Sequence, residues 1–189
     1  MVFDEIVLPI LIDLFVIVPL IIGAVMYNKI VKWENRVKES WADIDVQLKR
    51  RHELIPNLLE TVKGYANFEK TVLEDITKAR TSATQVFGAM QSYNAETQLN
   101  NAVQKFFAVA EGYPQLRASE SFVKFQGELS NTESRLAAAR EFYNSNVNEF
   151  NTILEKFPSN IVAKIFNFKA REFFRLQTIT ERNPVNVKL

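Results

Sequence analysis

The sequence predicts an all-α chain, with a single N-terminal transmembrane helix followed by an antiparallel bundle of four long helices. Three observations point there. Residues Ile6 to Met26, IVLPILIDLFVIVPLIIGAVM, form an apolar run of 21 residues with one charge, Asp13. Breakers are scarce, at five Gly and six Pro in 189 residues, while Ala, Leu, Val, Glu and Lys are frequent; such a composition favours helix. From Tyr27 onward, apolar residues recur at spacings of three, four and seven, the mark of helices that bury one stripe.

The apolar run comes first. At a rise of about 1.5 Å per residue it reaches ~30 Å, the thickness of a bilayer's hydrocarbon core, and a helix satisfies its own backbone polar groups where lipid cannot. A cleaved signal peptide fits less well: Asp4 and Glu5 stand where basic residues belong, and no small-residue cleavage site follows. Lys29, Lys32, Arg36 and Lys38 follow the run and no Lys or Arg precedes it. The positive-inside rule then puts the short N-terminus, residues 1–5, outside and the remainder in the cytoplasm. Asp13 stands near mid-bilayer, where an ionised Asp costs ~2.5–3.5 kcal/mol on an insertion scale. Two readings stay open: a helix–helix contact in a membrane oligomer, or a carboxyl that is protonated or reaches a water defect. Pro19 removes a backbone donor and predicts a mild kink.

The bundle occupies residues 27–157. Its first helix carries the stripe Ile30, Val37, Trp41, Ile44, Leu48, Ile55, Leu58, Val62 and Tyr65, with Gly64 and Asn67 at its end. Pro56 sits inside the stripe and should bend the helix, because it frees the carbonyl of His52. The second helix is expected over Phe68 to Phe87, with Val72, Leu73, Ile76, Ala79, Ala83 and Val86 inward and Gly88 closing it. A third runs from Ala95, capped by Asn94, to Tyr113, on the stripe Leu99, Val103, Phe106, Ala110 and Tyr113. Gly112 and Pro114 stop it. The fourth begins after the cap Ser119 and reaches Phe157. Phe122, Leu129, Leu136, Tyr143, Phe150 and Phe157 fill one heptad position; Phe125, Thr132, Ala139, Asn146 and Ile153 fill the other. Thr132 and Asn146 either set register or reach the bundle's edge.

Alternating helices of about 40, 20, 19 and 38 residues nearly cancel in axial rise, which returns the fourth helix to the membrane. The next segment, residues 158–176, combines Ile161, Phe166, Phe168, Phe173 and Phe174 with Lys164, Lys169 and Arg171. It reads as a short amphipathic helix, either capping the bundle or touching a neighbouring subunit, or lying on an anionic lipid surface. Residues 177–189 form a tail.

Motifs for bond-making chemistry are missing. With 23 Lys plus Arg against 22 Asp plus Glu, the balanced charge argues against a nucleic-acid partner. No cysteine means no disulfide, thiolate metal site or cysteine nucleophile. The single histidine, His52, has Lys49 three residues before it, so a di-iron Glu-x-x-His pair cannot form; it is placed at the bundle's flank. The five glycines are dispersed, so no phosphate loop is apparent. No catalytic, cofactor-binding or metal site is assigned, and no cofactor is expected. The densest polar stretch, Trp41 to Asn57, offers Asp45, Lys49, Arg50, Arg51, Pro56 and Asn57 as a docking surface for another chain. A solvated helix face laced with weak ion pairs is its plainer reading. Arg50 and Arg51, being adjacent, point to different faces.

That stretch also carries a resemblance. Residues 27–70, YNKIVKWENRVKESWADIDVQLKRRHELIPNLLETVKGYANFEK, closely resemble the LemA family. So do residues 108–151, AVAEGYPQLRASESFVKFQGELSNTESRLAAAREFYNSNVNEFN, and 157–174, FPSNIVAKIFNFKAREFF. The family pattern falls on Trp41, Asp45, Leu48, Arg50, Arg51, Leu54, Ile55, Pro56, Asn57, Val62 and Tyr65. It resumes at Tyr113, Pro114, Glu128, Glu133, Ala139, Arg140, Tyr143, Asn144, Asn151, Phe157, Pro158 and Phe174. The resemblance implies a bacterial, membrane-anchored protein with a short outer N-terminus and a cytoplasmic bundle of long antiparallel helices; no enzymatic activity is established for the family. Genes for members of that family often lie near those for membrane proteins or a membrane metalloprotease, and a relative takes part in forming a bacterial organelle membrane.

The expected function is a membrane-anchored, non-enzymatic scaffold that organises protein or membrane assemblies. Its expected partners are membrane lipid, further copies of itself and a membrane protein. The alternative is a tethered sensor or adaptor that relays a signal to a partner such as a membrane protease, with the Pro56 bend as its moving part.

Overall fold

A computed structural model describes residues 8–65, 68–86 and 88–174, with side chains from Leu14 onward. Ile6 and the tail lie outside the described residues, as do Asn67, Phe87 and the side chain of Asp13. The chain is all-α, and no strand occurs among the described residues. Among the described residues six helices follow in order: α1 (Leu8–Val62), α2 (Lys70–Thr84), α3 (Ala89–Ala110), α4 (Pro114–Arg117), α5 (Glu120–Glu155) and α6 (Ser159–Ile165). α1 runs 55 residues without a break through Pro19 and Pro56, and its N-terminal part is long and apolar enough to cross a membrane. Packing divides the chain into two compact units, Met1–Trp41 with Asn144–Arg171, and Ala42–Tyr143 with Glu172–Leu189.

The second unit is an up-and-down bundle of four helical segments. Its antiparallel order is visible in the register. Arg51 of α1 meets Glu133 of α5, while Thr61 shares a groove with Ser121, so α5 runs back as α1 runs on. Asp75 of α2 pairs with Lys105 of α3, and Ser82 faces Gln98, the same reversal. The stripes are buried as the periodicity requires: Ile55, Leu58 and Val62, then Val72 and Ile76, then Leu99, Val103 and Phe106, then Phe122, Leu129 and Leu136. One end is aromatic. Phe68 lies 5.3 Å from Phe106 and 5.0 Å from Tyr113 by ring centroids, and Phe107 lies 6.0 Å from Phe122.

Several helix ends differ from expectation. Gly88 opens α3 instead of closing α2; its φ of 92° is the left-handed region that side chains avoid, and it sets the turn between the two helices. α3 therefore starts six residues early, because Ala89, Met90 and Gln91 are good helix formers and nothing stops them. Asn94 rides exposed on that helix instead of capping it. Pro114, expected only as a stop, also occupies the first position of α4, where its missing N–H costs nothing. Ser119 does cap α5: its hydroxyl oxygen accepts from the Phe122 N–H at 3.3 Å.

In the first unit, Ile30 and Val37 of α1 are buried, as are Val147, Phe150 and Ile153 of α5 and Val162 and Ala163 of α6. The heptad position of Phe122 is buried only as far as Phe150: Phe157 is 80% exposed and precedes the cis bond to Pro158. Thr132 and Asn146 are buried and not at an edge. Thr132 donates its hydroxyl to Glu128 O in its own helix, so it fixes no register.

Over its described residues, 158–174, the C-terminal segment does not form one amphipathic helix. α6 covers only Ser159–Ile165. Asn167 takes φ 56°, the Phe168 N–H donates to Ala163 O at 2.9 Å, and the Asn167 N–H donates to Lys164 O at 3.3 Å. Those two bonds are the paired closure of a helix whose C-terminal residue turns left-handed, a role Asn tolerates. The chain then extends along α5. The Asn151 side chain donates to Arg171 O at 2.9 Å and accepts from the Arg171 N–H at 2.8 Å. Arg171 in turn donates to Glu34 Oε1 at 2.6 Å.

A buried charge cluster as the candidate functional site

The second unit encloses charge in its core. Arg51 of α1 is 2% exposed and Glu96 of α3 is 4% exposed. Arg51 Nη1 donates to Glu96 Oε2 at 2.6 Å and Nη2 donates to Asn100 Oδ1 at 3.2 Å. Its Nε lies 2.8 Å from Glu133 Oε1 of α5, an ion-pair distance without hydrogen-bond alignment. The other Glu96 oxygen, Oε1, lies 2.6 Å from His52 Nε2. An ionised carboxylate only accepts, so Nε2 carries the proton of that bond. Burial pushes the Glu96 carboxyl up, but the His52 hydrogen bond and the Arg51 charge outweigh it and hold the group below its ordinary value.

The helices put these groups together for simple reasons. Arg51 falls three residues after Leu48 and four before Ile55, in register with the buried stripe of α1. Glu96 falls three before Leu99 and seven before Val103, on the inner face of α3. His52 is accordingly buried, not at the flank. Pro56 supplies the last part. It has no N–H for the His52 carbonyl, and Arg80 Nε of α2 donates to that carbonyl at 2.8 Å instead.

The C-terminal segment closes over the same region. The Tyr143 hydroxyl donates to Glu172 O at 2.9 Å, and Phe174 is 1% exposed, with the Arg140 guanidinium 4.6 Å from its ring centre and Tyr93 edge-on at 6.2 Å. Burial pushes the Arg140 guanidinium below its ordinary value, against the opposing charges of Glu96 and Glu133.

A profile of the LemA family matches residues 40–189. The chain belongs to the LemA family. Its relatives include protein LemA of Metamycoplasma hominis, 26% identical over 160 residues, covering 81% of this chain and 73% of that protein. Magnetosome protein MamQ 2 of Paramagnetospirillum magneticum is 23% identical over 175 residues, covering 79% of this chain and 64% of that protein. Magnetosome protein MamQ of Magnetospirillum gryphiswaldense is 21% identical over 174 residues, with 78% and 64% covered. The chain thus spans a little under two thirds of the length of these magnetosome relatives. Arg51, Glu133, Arg140 and Phe174, four positions that carry the LemA resemblance, meet in this one cluster.

The docking-surface residues read from sequence divide. Asp45, Lys49, Arg50, Pro56 and Asn57 are exposed, whereas Arg51 turns inward. Asp45 and Lys49 line a groove of about 390 Å³ together with His52, Glu53, Arg80 and Ser92. Of the C-terminal set, Ile161, Lys164, Phe166, Lys169, Arg171 and Phe173 are exposed, Phe168 is half-buried and Phe174 is buried. In chemical terms the cluster opposes two guanidinium groups to two carboxylates, and both Glu96 oxygens are already engaged. It holds three helices and the C-terminal segment in one register. Glu96 and His52 lie 44 residues apart, and only the fold pairs them.

Proposed function

We propose that this LemA-family chain is a membrane-anchored scaffold that acts by holding partners, with the span as its tether and the charge-locked bundle as its rigid body. One observation carries the reading. From Leu14 to Val25 the large apolar side chains of α1 stand 41–82% exposed, Phe15 at 82% and Leu20 at 67%. Water does not tolerate such a continuous apolar cylinder, and lipid does. The basic residues that follow the span orient the body to the cytoplasm. Relatives named as magnetosome proteins agree with a role in assemblies at a membrane. The scaffold holds further copies of itself through the span, and membrane proteins through the exposed face around Asp45 and Lys49.

The test is crosslinking of the full-length chain in intact bacterial membranes. The account expects a ladder of homo-oligomers together with discrete membrane-protein adducts, unchanged by any stimulus. A strictly monomeric product without adducts overturns it.

A further inference from the structure

We propose that α6 and the turn after it form a second membrane contact, an apolar and basic foot seated among anionic phospholipid headgroups beside the span. This rests on the span reading and adds a surface to it. The depth of the segment follows from one contact. Tyr27 is the residue after Met26, the inner end of the span, and its ring lies 4.7 Å from Phe166 and 5.8 Å from Phe168 by centroids. With a helical rise of about 1.5 Å per residue, a residue in contact with Tyr27 sits at the membrane–water boundary. An aromatic cluster at that depth is where Tyr and Phe rings favour the interface.

The outer face of α6 has the composition such a place requires. Val162 and Ala163 are buried, while Ile161 and Ile165, one turn apart, are 50% and 71% exposed, and Phe166 is 57% exposed. Lys164 and Lys169 flank them and are exposed. In the part of this unit that follows the span, residues 27–41 and 144–171, the sequence places eight Lys and Arg against four Glu, whereas Asp4 and Glu5 precede the span and the whole chain is net +1. The positive charge is therefore gathered on the side where an anionic leaflet would be. Arg171 takes no part, being committed to Glu34.

The chain has no cysteine, so single spin labels can be placed in the otherwise unaltered full-length protein. Ile165→Cys and, separately, Leu20→Cys are labelled and reconstituted in vesicles of phosphatidylglycerol with phosphatidylethanolamine, and in phosphatidylcholine alone. Collision with oxygen, which prefers lipid, is compared with collision with a water-soluble nickel chelate. The account expects oxygen to dominate at Leu20 in both vesicles, and at Ile165, more weakly, in the anionic ones. Lys164→Gln with Lys169→Gln should lower the docked-to-undocked ratio at Ile165 about fivefold per lysine. Lipid exposure at Leu20 with a water-exposed Ile165 overturns the foot and leaves the anchor standing. An Ile165 label shielded from both reagents overturns it in favour of a second protein copy. Docking indifferent to both lysines and lipid charge overturns the headgroup assignment. A water-exposed Leu20 overturns the anchor and the foot together.

Discussion

Replacing Glu96 by alanine removes the one carboxylate that both Arg51 and His52 use. Arg51 keeps Glu133, whose side chain is 38% exposed, and Asn100, but loses its 2.6 Å bond inside the core. His52 Nε2 is left with no acceptor. Breaking a buried ion pair from one side costs about 3–5 kcal/mol, because the remaining charge stays desolvated. For a chain of this size that lowers the melting temperature by roughly 6–20 °C. Thermal unfolding of the full-length protein in detergent, followed by circular dichroism, reads it. Acid gives a second readout. Because the folded Glu96 carboxyl sits below its ordinary value of 4.5, its contribution is complete above that value and disappears as pH falls through the lowered folded value. The alanine variant should thus lose stability less steeply than the parent on acidification below 4.5. The pair Arg51→Met with Glu96→Leu should lose less than either single change, since no unpaired charge remains. A Glu96→Ala loss under about 1 kcal/mol, a value typical of exposed pairs, would refute the claim that the cluster locks the bundle.

Three further outcomes are expected. Arg80→Met should cost about 0.5–1.5 kcal/mol in the parent and much less in a Pro56→Ala background, where the helix supplies its own donor to the His52 carbonyl; equal losses in a double-mutant cycle would contradict the substitution of Arg80 for the missing N–H. Phe106→Ala, at a position with no exposure, should cost about 3–5 kcal/mol by denaturant unfolding. Asp13→Leu should shift the detergent-solubilised protein to smaller oligomers in sedimentation; an unchanged distribution removes Asp13 from the assembly contact.

How much of this could be read from the chain follows from what each feature depends on. Burial of Ile55, Leu99 or Phe122 is a matter of local period, and period survives in the sequence. The start of α3 depends on the backbone angle at Gly88, and a glycine can close one helix or open the next with equal ease. The C-terminal segment looked helical because its composition is amphipathic, and Asn167 ended it by entering a left-handed conformation that composition does not display. The charge cluster lay between these cases. Arg51 and Glu96 each occupy a buried register position, which marks them as inward-facing, but their pairing joins different helices and only the fold brings them together. The freed carbonyl of His52 was legible from Pro56 alone; that Arg80 fills the vacancy was not.

The most direct test of the central claim is alkaline carbonate extraction of bacterial membranes that contain either the full-length chain or one lacking residues 1–26. The account predicts that the full-length chain stays with the membrane until detergent is added and that the shortened chain leaves with the wash, its remaining basic and apolar foot being only a surface contact. A full-length chain released by carbonate would contradict the anchor, and with it the scaffold built upon it.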